Sequence, residues 1–321
     1  MIYSTSQLDA LMDSGAGLDG FGPFSDHKFI ALDLPSCDAD QSEFVAQLPC
    51  PVIGIGKGPL AQGCDAVFPD LEQAQSTLRN IERWPMAASV LVQQLRLVER
   101  LDSARALVAE SFAYATLQAG AEFKAWHSQH SASSPSAQRP NPPLDTKRAG
   151  DRLTLTLNDP ANHNEIGVEM RDALCEALDL AVADPSIERV EISAEGRTFS
   201  SGGAVGEFGS VSDPATAHSI RSVRLPATRL AKLAERLHIE VNGAAIGAGA
   251  EIAAFAAHVT ATPQAWFQLP ELKYGLIPGA GGTVSLSRKI GRQRTCELAL
   301  SMKRLSAQMA LDWGLVDEIV S

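Results

Sequence analysis

A chain of 321 residues with 45% hydrophobic and 20% charged residues can bury a large core and has the balance of a globular protein in water. Its net charge of −11 argues against nucleic acid as a partner, because phosphate binding needs a local excess of Lys and Arg. Five cysteines without CxxC spacing read as reduced thiols in a cytoplasmic protein; no signal peptide opens the chain, and no stretch is long and apolar enough for a membrane span.

In chain order, residues 1–69 read as a short helix and loop followed by two buried strands, over 29–34 and 52–55, each ended by turn residues. The run Gly54-x-Gly56-x-Gly58 lacks the GxGxxG spacing of a dinucleotide loop, and Pro59 interrupts any following helix; it is a glycine turn. Residues 70–130 have helical periodicity. Asp70 can cap a first helix with Leu71, Ala74, Leu78 and Ile81 on one face, and Pro85 opens a second with Met86, Val90, Leu91, Leu95 and Val98. A third starts near Ser103 and carries Leu107, Phe112, Tyr114, Leu117 and Phe123, aromatic residues that read as core. His127 and His130 have no metal-ligating company and are expected in solvent. Residues 131–147, SASSPSAQRPNPPLDTK, form an extended, exposed linker.

From residue 148 the pattern becomes strand, turn and helix in repetition. Leu153 to Leu157 alternates as a strand, and an amphipathic helix follows with Ile166, Met170, Leu174, Ala177, Leu178 and Ala181 inward. Asp184-Pro185 ends it, and Val190-Glu191-Ile192 is the next strand. Leu237–Val241 alternates again. Asn242-Gly243 then turns the chain, and Gly247-Ala248-Gly249-Ala250 leads into an apolar helix over 251–257 with Glu251 in its first turn. Small residues there admit a ligand close to the backbone, and the start of a helix offers unpaired N–H donors. A second carboxylate, Glu271, follows Pro270, ahead of the glycine-rich stretch from Gly275 to Gly282. Two carboxylates beside N–H-rich turns make a candidate acid/base site facing an oxyanion hole.

The run VNGAAIGAGAEIAAF…LPELKYGLIPGAGG resembles the crotonase (enoyl-CoA hydratase/isomerase) superfamily. Gly196-Arg197-Thr198-Phe199-Ser200-Ser201-Gly202-Gly203 is similar to that family's GxxFxxGxD loop, with Ala204 where Asp is usual, and Asn158 to Asn164 is similar to its first strand-to-helix turn. The resemblance implies an α/β fold with a ββα spiral core over 148–321. It implies an oxyanion hole from the amides of Gly203 and Ala248, with Ser201, Gly203, Ala204, Val205, Gly247 and Ala248 along the substrate path. Glu251 and Glu271 match the two glutamates of the hydratase branch: the first would activate water, the second would deliver the proton to the α-carbon. Ala204 in place of Asp removes a polar group near the pantetheine path, and His258, where Asp is common, reads as structural. An acyl-CoA thioester would be the substrate, with no metal or other cofactor, in a homo-oligomer (trimer or hexamer by resemblance).

Residues 48–67 resemble a worn-down copy of the family's strand–turn–strand, so 1–69 is expected to be a degenerate half-unit. Residues 70–130, with Glu110-Ser111-Phe112, resemble the helical tail that normally ends such chains, whereas this chain stops near Gly314-Leu315-Val316-Asp317. The expectation is a rearranged order, in which the mainly helical N-terminal extension supplies those helices. Three rivals remain open: an isomerase using Glu271 alone, a cofactor-independent oxygenase, and a non-catalytic thioester-binding subunit.

Overall fold

The computed structural model describes residues 2–13, 17–130 and 142–320. Its first 69 residues build a small parallel sheet. β1 (Ile2–Tyr3), β2 (Ile30–Asp33), β3 (Val52–Ile55) and β4 (Ala66–Phe68) lie side by side in that order, with α1 (Thr5–Asp13) and α2 (Ser42–Gln47) in the connections. Alternating side chains divide these strands between two cores. Val52 joins Leu8, Leu32, Leu34, Leu48 and Leu60 in a local cluster, while Ile53, Ile55, Ala66 and Phe68 face the main core of the chain.

Helices α3 (Leu71–Arg83), α4 (Pro85–Val98), α5 (Ser103–Gln118) and α6 (Ala121–His130) follow. Asp70 and Asp102 cap α3 and α5 by accepting the amides of Gln73 and Arg105, each at 2.9 Å, and Pro85 opens α4. The sequence pattern runs α5 and α6 together. Gly120 separates them, its amide turned back onto the Leu117 carbonyl at 2.8 Å.

The core then winds through β5 (Leu144–Ala149), β6 (Arg152–Leu157), α7 (Val168–Ala183), β7 (Arg189–Ala194), β8 (Thr198–Ser200), α8 (Pro214–Arg224) and α9 (Ala227–Leu233). It continues with β9 (Leu237–Val241), β10 (Ala244–Ile246), α10 (Ala248–Ala253), β11 (His258–Ala261), β12 (Trp266–Gln268), α11 (Gly282–Ile290), α12 (Arg292–Ser301), β13 (Leu305–Ser306), α13 (Ala307–Trp313) and β14 (Glu318–Ile319). Each turn of the spiral places one strand in a six-stranded sheet, ordered β14-β11-β9-β7-β6-β5, and the next in a four-stranded sheet, ordered β13-β12-β10-β8. Leu153, Leu155 and Leu157 point inward from β6 and Val190 and Ile192 from β7, against Met170, Leu174 and Leu178 of α7. This is the ββα repeat expected of the core.

Two expectations are corrected. The linker of residues 131–147 is shorter: 144–149 form β5, antiparallel to β6 at the edge of the large sheet, and 131–141 lie outside the described residues. The helix expected over 251–257 is α10, which starts at Ala248 and ends at Ala253.

Helices α3 and α4 dock on α12, and α4 and α5 on α11, so the N-terminal segment is built into the core. Asp65 fixes that junction. Its carboxylate, 1% exposed, accepts the Val52 amide at 2.8 Å, Arg96 Nε of α4 at 2.8 Å and Arg292 Nη1 of α12 at 3.0 Å. Asp65→Ala leaves two largely buried guanidinium groups without their shared acceptor, and breaking such a network costs about 3–5 kcal/mol. In urea, with a slope of ~3 kcal/mol per M, the unfolding midpoint drops by about 1–1.7 M. A shift under ~0.3 M would show that solvent replaces Asp65 at little loss.

Candidate active site

Two glycine-rich turns meet where β8 and β10 end side by side. Ser200 Oγ donates to the Asn164 carbonyl at 2.7 Å and accepts the Gly202 amide at 3.1 Å, shaping the first turn. Gly202 adopts φ +95°, and a Cβ there would lie 2.7 Å from the Ile246 carbonyl; only glycine lets the two turns touch. Gly247 opens the second turn at φ +49°, its amide held by the Gln268 carbonyl at 2.8 Å. Among the described residues, the amides of Gly203 and Ala248 have no backbone acceptor, and both residues line one cavity. Ala248 keeps a negative φ, so its methyl group is no obstacle.

The cavity measures about 230 Å³. Glu251 and Glu271 open onto it beside Gly203, Ala204 and Ala248, and its apolar wall is made by Ile166, Phe208, Ile220, Leu225 and Ile252. Ser201, Val205 and Gly247, expected along the substrate path, are not among its lining. Ser201 turns away, its amide bonded to the His163 carbonyl at 3.0 Å, and Val205 is 40% exposed. Gly247 serves Glu271 instead: a Cβ there would stand 2.5 Å from Glu271 Oε1.

The two glutamates differ in their partners. Glu251 Oε2 accepts the amides of Ala280 at 2.6 Å and Gly282 at 2.7 Å, at the start of α11. Burial raises its pKa well above the usual carboxylate range, the charges of Glu271 and Glu110 raise it further, and the two amides oppose them. Glu271 has a buried Oε2 with no hydrogen-bond partner. Burial pushes its pKa up to about 8, against a smaller opposing pull from its own amide and from Lys273. Two buried carboxyls in one cavity cannot both ionise readily, and the donated amides favour charge on Glu251 and the proton on Glu271.

The N-terminal segment reaches this cavity. Tyr114 and Gln118 of α5 line it, as does Arg221 of α8, whose guanidinium stacks 4.2 Å over the Tyr114 ring and donates to the Gly279 carbonyl. A Cβ on Gly279 would strike Tyr114 Cδ2 at 2.2 Å, and one on Gly275 would meet the Phe123 amide at 2.6 Å. Those glycines are where α5 and α6 press on the loop carrying Glu271. Sequence reasoning assigned Tyr114 to the core and gave Gln118 and Arg221 no role. The available signal was Glu110, a carboxylate on the buried stripe Leu107–Glu110–Tyr114–Leu117. His127, expected in solvent, packs its ring 5.6 Å from Phe123. His258 sits on the large sheet with its ring 5.7 Å from His238, away from the cavity.

The sequence pattern of the enoyl-CoA hydratase/isomerase family matches residues 152–321, more than half of the chain. The chain belongs to that family. Among curated relatives it is 36% identical over 167 residues to the 2,3-dehydroadipyl-CoA hydratase of Escherichia coli K12, covering 52% of this chain and 65% of the relative. It is likewise 36% identical over 172 residues to the 1,2-epoxyphenylacetyl-CoA isomerase of the same organism, covering 52% and 66%. The chain thus spans just under two thirds of these relatives. An enoyl-CoA hydratase/isomerase structure from Mycobacterium paratuberculosis superposes with a TM-score of 0.52 at 27% identity, covering 57% of this chain and 74% of that one. The matched stretch of this enoyl-CoA hydratase/isomerase family member holds Gly203, Ala248, Glu251 and Glu271, whereas Glu110, Tyr114 and Gln118 precede it. Among the described residues, no helix is long and apolar enough to cross a membrane.

Proposed function

We propose that the protein is an enoyl-CoA hydratase, adding water across the α,β double bond of an acyl-CoA thioester. The observation that carries this reading is the asymmetric pair, Glu251 tied by two amides and Glu271 with an unpartnered Oε2, in one cavity with two unpaired amides. A thioester carbonyl received by the Gly203 and Ala248 amides becomes an enolate oxygen as the β-carbon is attacked, and two aligned N–H groups stabilise that charge. Glu251 takes a proton from water as its oxygen bonds to the β-carbon, and Glu271 gives its proton to the α-carbon. The pair ends with its proton on Glu251 and regains its starting state when that proton passes back to Glu271. The apolar wall from Ile166 to Leu225 suits an acyl chain. We further propose that α3–α6 do for this core what a helical tail does in relatives, in a rearranged order.

The test is loss of enone absorbance when the protein is mixed with crotonyl-CoA and with an aromatic enoyl-CoA. Hydration needs the proton on Glu271 and a charged Glu251, so kcat/KM falls above about 8 as the Glu271 proton is lost. The fall is about tenfold per pH unit. Dehydration uses Glu271 as the base and rises over the same interval. No turnover with either thioester, or an alkaline limb that ignores Glu271→Gln, overturns the assignment.

A further inference from the structure

Four successive amides open α11, and they alternate between two buried carboxylates. Ala280 and Gly282 donate to Glu251 Oε2 at 2.6 and 2.7 Å. Gly281 donates to Glu110 Oε1 at 2.8 Å, and Thr283 donates to Glu110 Oε2 through its amide at 2.9 Å and its hydroxyl at 2.7 Å. Glu110 is 0% exposed, sits 171 residues before Gly281, and is not among the residues that line the cavity. All three of its partners donate, the arrangement a carboxylate accepts and an amide side chain cannot reproduce. Gly281 has φ +105°, which favours glycine, and a Cβ on Gly282 would lie 2.4 Å from Glu251 Cγ, so Gly282 serves the approach of that acid.

We propose that Glu110 is a positioning residue of the active site: by holding the amides of Gly281 and Thr283 it leaves those of Ala280 and Gly282 aimed at Glu251. This rests on the reading of Glu251 as the group that activates water. An ordinary helix cap comes from the residue just ahead of the helix. Here it comes from α5, in the segment that precedes the family-matched stretch, so the N-terminal helices set the geometry of a catalytic pair they do not contain. Without Glu110, three buried donors lose their acceptor, and the two amides among them compete for Glu251. Its charge acts on the same pair, since Glu110 raises the pKa of both Glu251 and Glu271. The other ionisable groups around it are Arg221 and Tyr114, with His218 Nδ1 held 2.9 Å from Ser111 Oγ next along the chain.

The experiment compares Glu110→Gln with the wild type. Expected is a fall in kcat of about 10–100-fold, with KM for the thioester within about threefold because Glu110 does not reach the cavity. The alkaline limb moves to lower pH, because the charge of Glu110, which raises the pKa of both acids, has gone. A merely structural role would lower the melting temperature and move neither kcat, measured well below that temperature, nor the limb. Thr283→Val, which removes one of the three bonds and keeps Glu110, serves if Glu110→Gln does not fold; it lowers kcat severalfold at unchanged KM, and an unchanged kcat overturns the role. Carbon-13 carboxyl shifts of the glutamates, followed through a pH titration, read the same effect without turnover. They keep this test separate from the hydratase assay: inactive wild type removes the assay, while Glu251 and Glu271 shifts that titrate alike in wild type and variant remove the positioning role.

Discussion

Replacing Glu251 or Glu271 by Gln lowers enoyl-CoA hydration by about 10²–10⁴-fold, the range a positioned proton-transfer group supplies, and leaves thioester affinity within a few-fold. Glutamine keeps the volume of each side chain, and the oxyanion amides belong to Gly203 and Ala248, so binding persists while proton transfer stops. The two variants need not be equal. Glu271→Gln removes the acid, and the cavity's other carboxyls are engaged elsewhere, Glu251 with the amides of Ala280 and Gly282 and Glu207 with that of Val168. Glu251→Gln leaves an amide oxygen that can still accept from Ala280 and Gly282 but cannot take the proton of water. Intact turnover without water addition in Glu251→Gln, with all turnover lost in Glu271→Gln, transfers the protein to the isomerase reading, for which the isomerase relative at 36% identity is equal company.

Stability should move the other way in the same variants. The folded-state pKa of Glu271 lies at about 8, above its ordinary value of 4.5, so the folded protein holds that proton more tightly than the unfolded chain. Its stabilising effect is complete below the unfolded value and is lost as pH rises through the folded one. Glutamine has no such loss. The melting temperature of Glu271→Gln therefore exceeds that of the wild type by an amount that grows with pH and levels off above about 8, where ~5 kcal/mol corresponds to about 7 °C for a chain of 321 residues.

The sites that could be read from sequence are those where the backbone does the chemistry. Gly202, Gly247 and Gly282 are glycine because another atom stands where their Cβ would be, and that requirement is written in the residue itself. Glu251 and Glu271 stood out as single carboxylates in apolar surroundings. Ser201 and Val205 flank this turn without lining the cavity, whereas Gly203 and Ala204 line it, a division that neighbours in sequence do not reveal. Strand β5 was hidden for a physical reason. It lies at the sheet edge with one buried residue, Leu144, and five exposed ones, so it has no alternation to find. Glu110 could be marked as odd, but its partners are 171 residues away, a distance no local pattern spans.

Deleting residues 1–141, which spares β5, should yield an insoluble remnant, or a soluble one that binds thioester without turnover. The buried faces of α4 and α5 pack on α11, and α4 also on α12, so their removal uncovers apolar surface of the core, a cause of aggregation. Chemistry suffers separately. The deletion takes away Glu110 from the amides of Gly281 and Thr283, Tyr114 from its stack against Arg221 and Gly279, and Phe123 from the turn at Gly275. The loop from Glu271 to Gly282 then loses the surface that holds it. Glu251 keeps its two amides only if α11 starts in the same place, and nothing in residues 142–320 supplies the acceptor that Glu110 gave it. A soluble remnant with full hydratase activity would make the segment an appended unit with no share in the site. Activity restored by adding residues 1–141 as a separate chain would instead show that contact, not covalent order, is what the site requires. That outcome is expected under the proposed rearrangement, in which α3–α6 take the place of a helical tail.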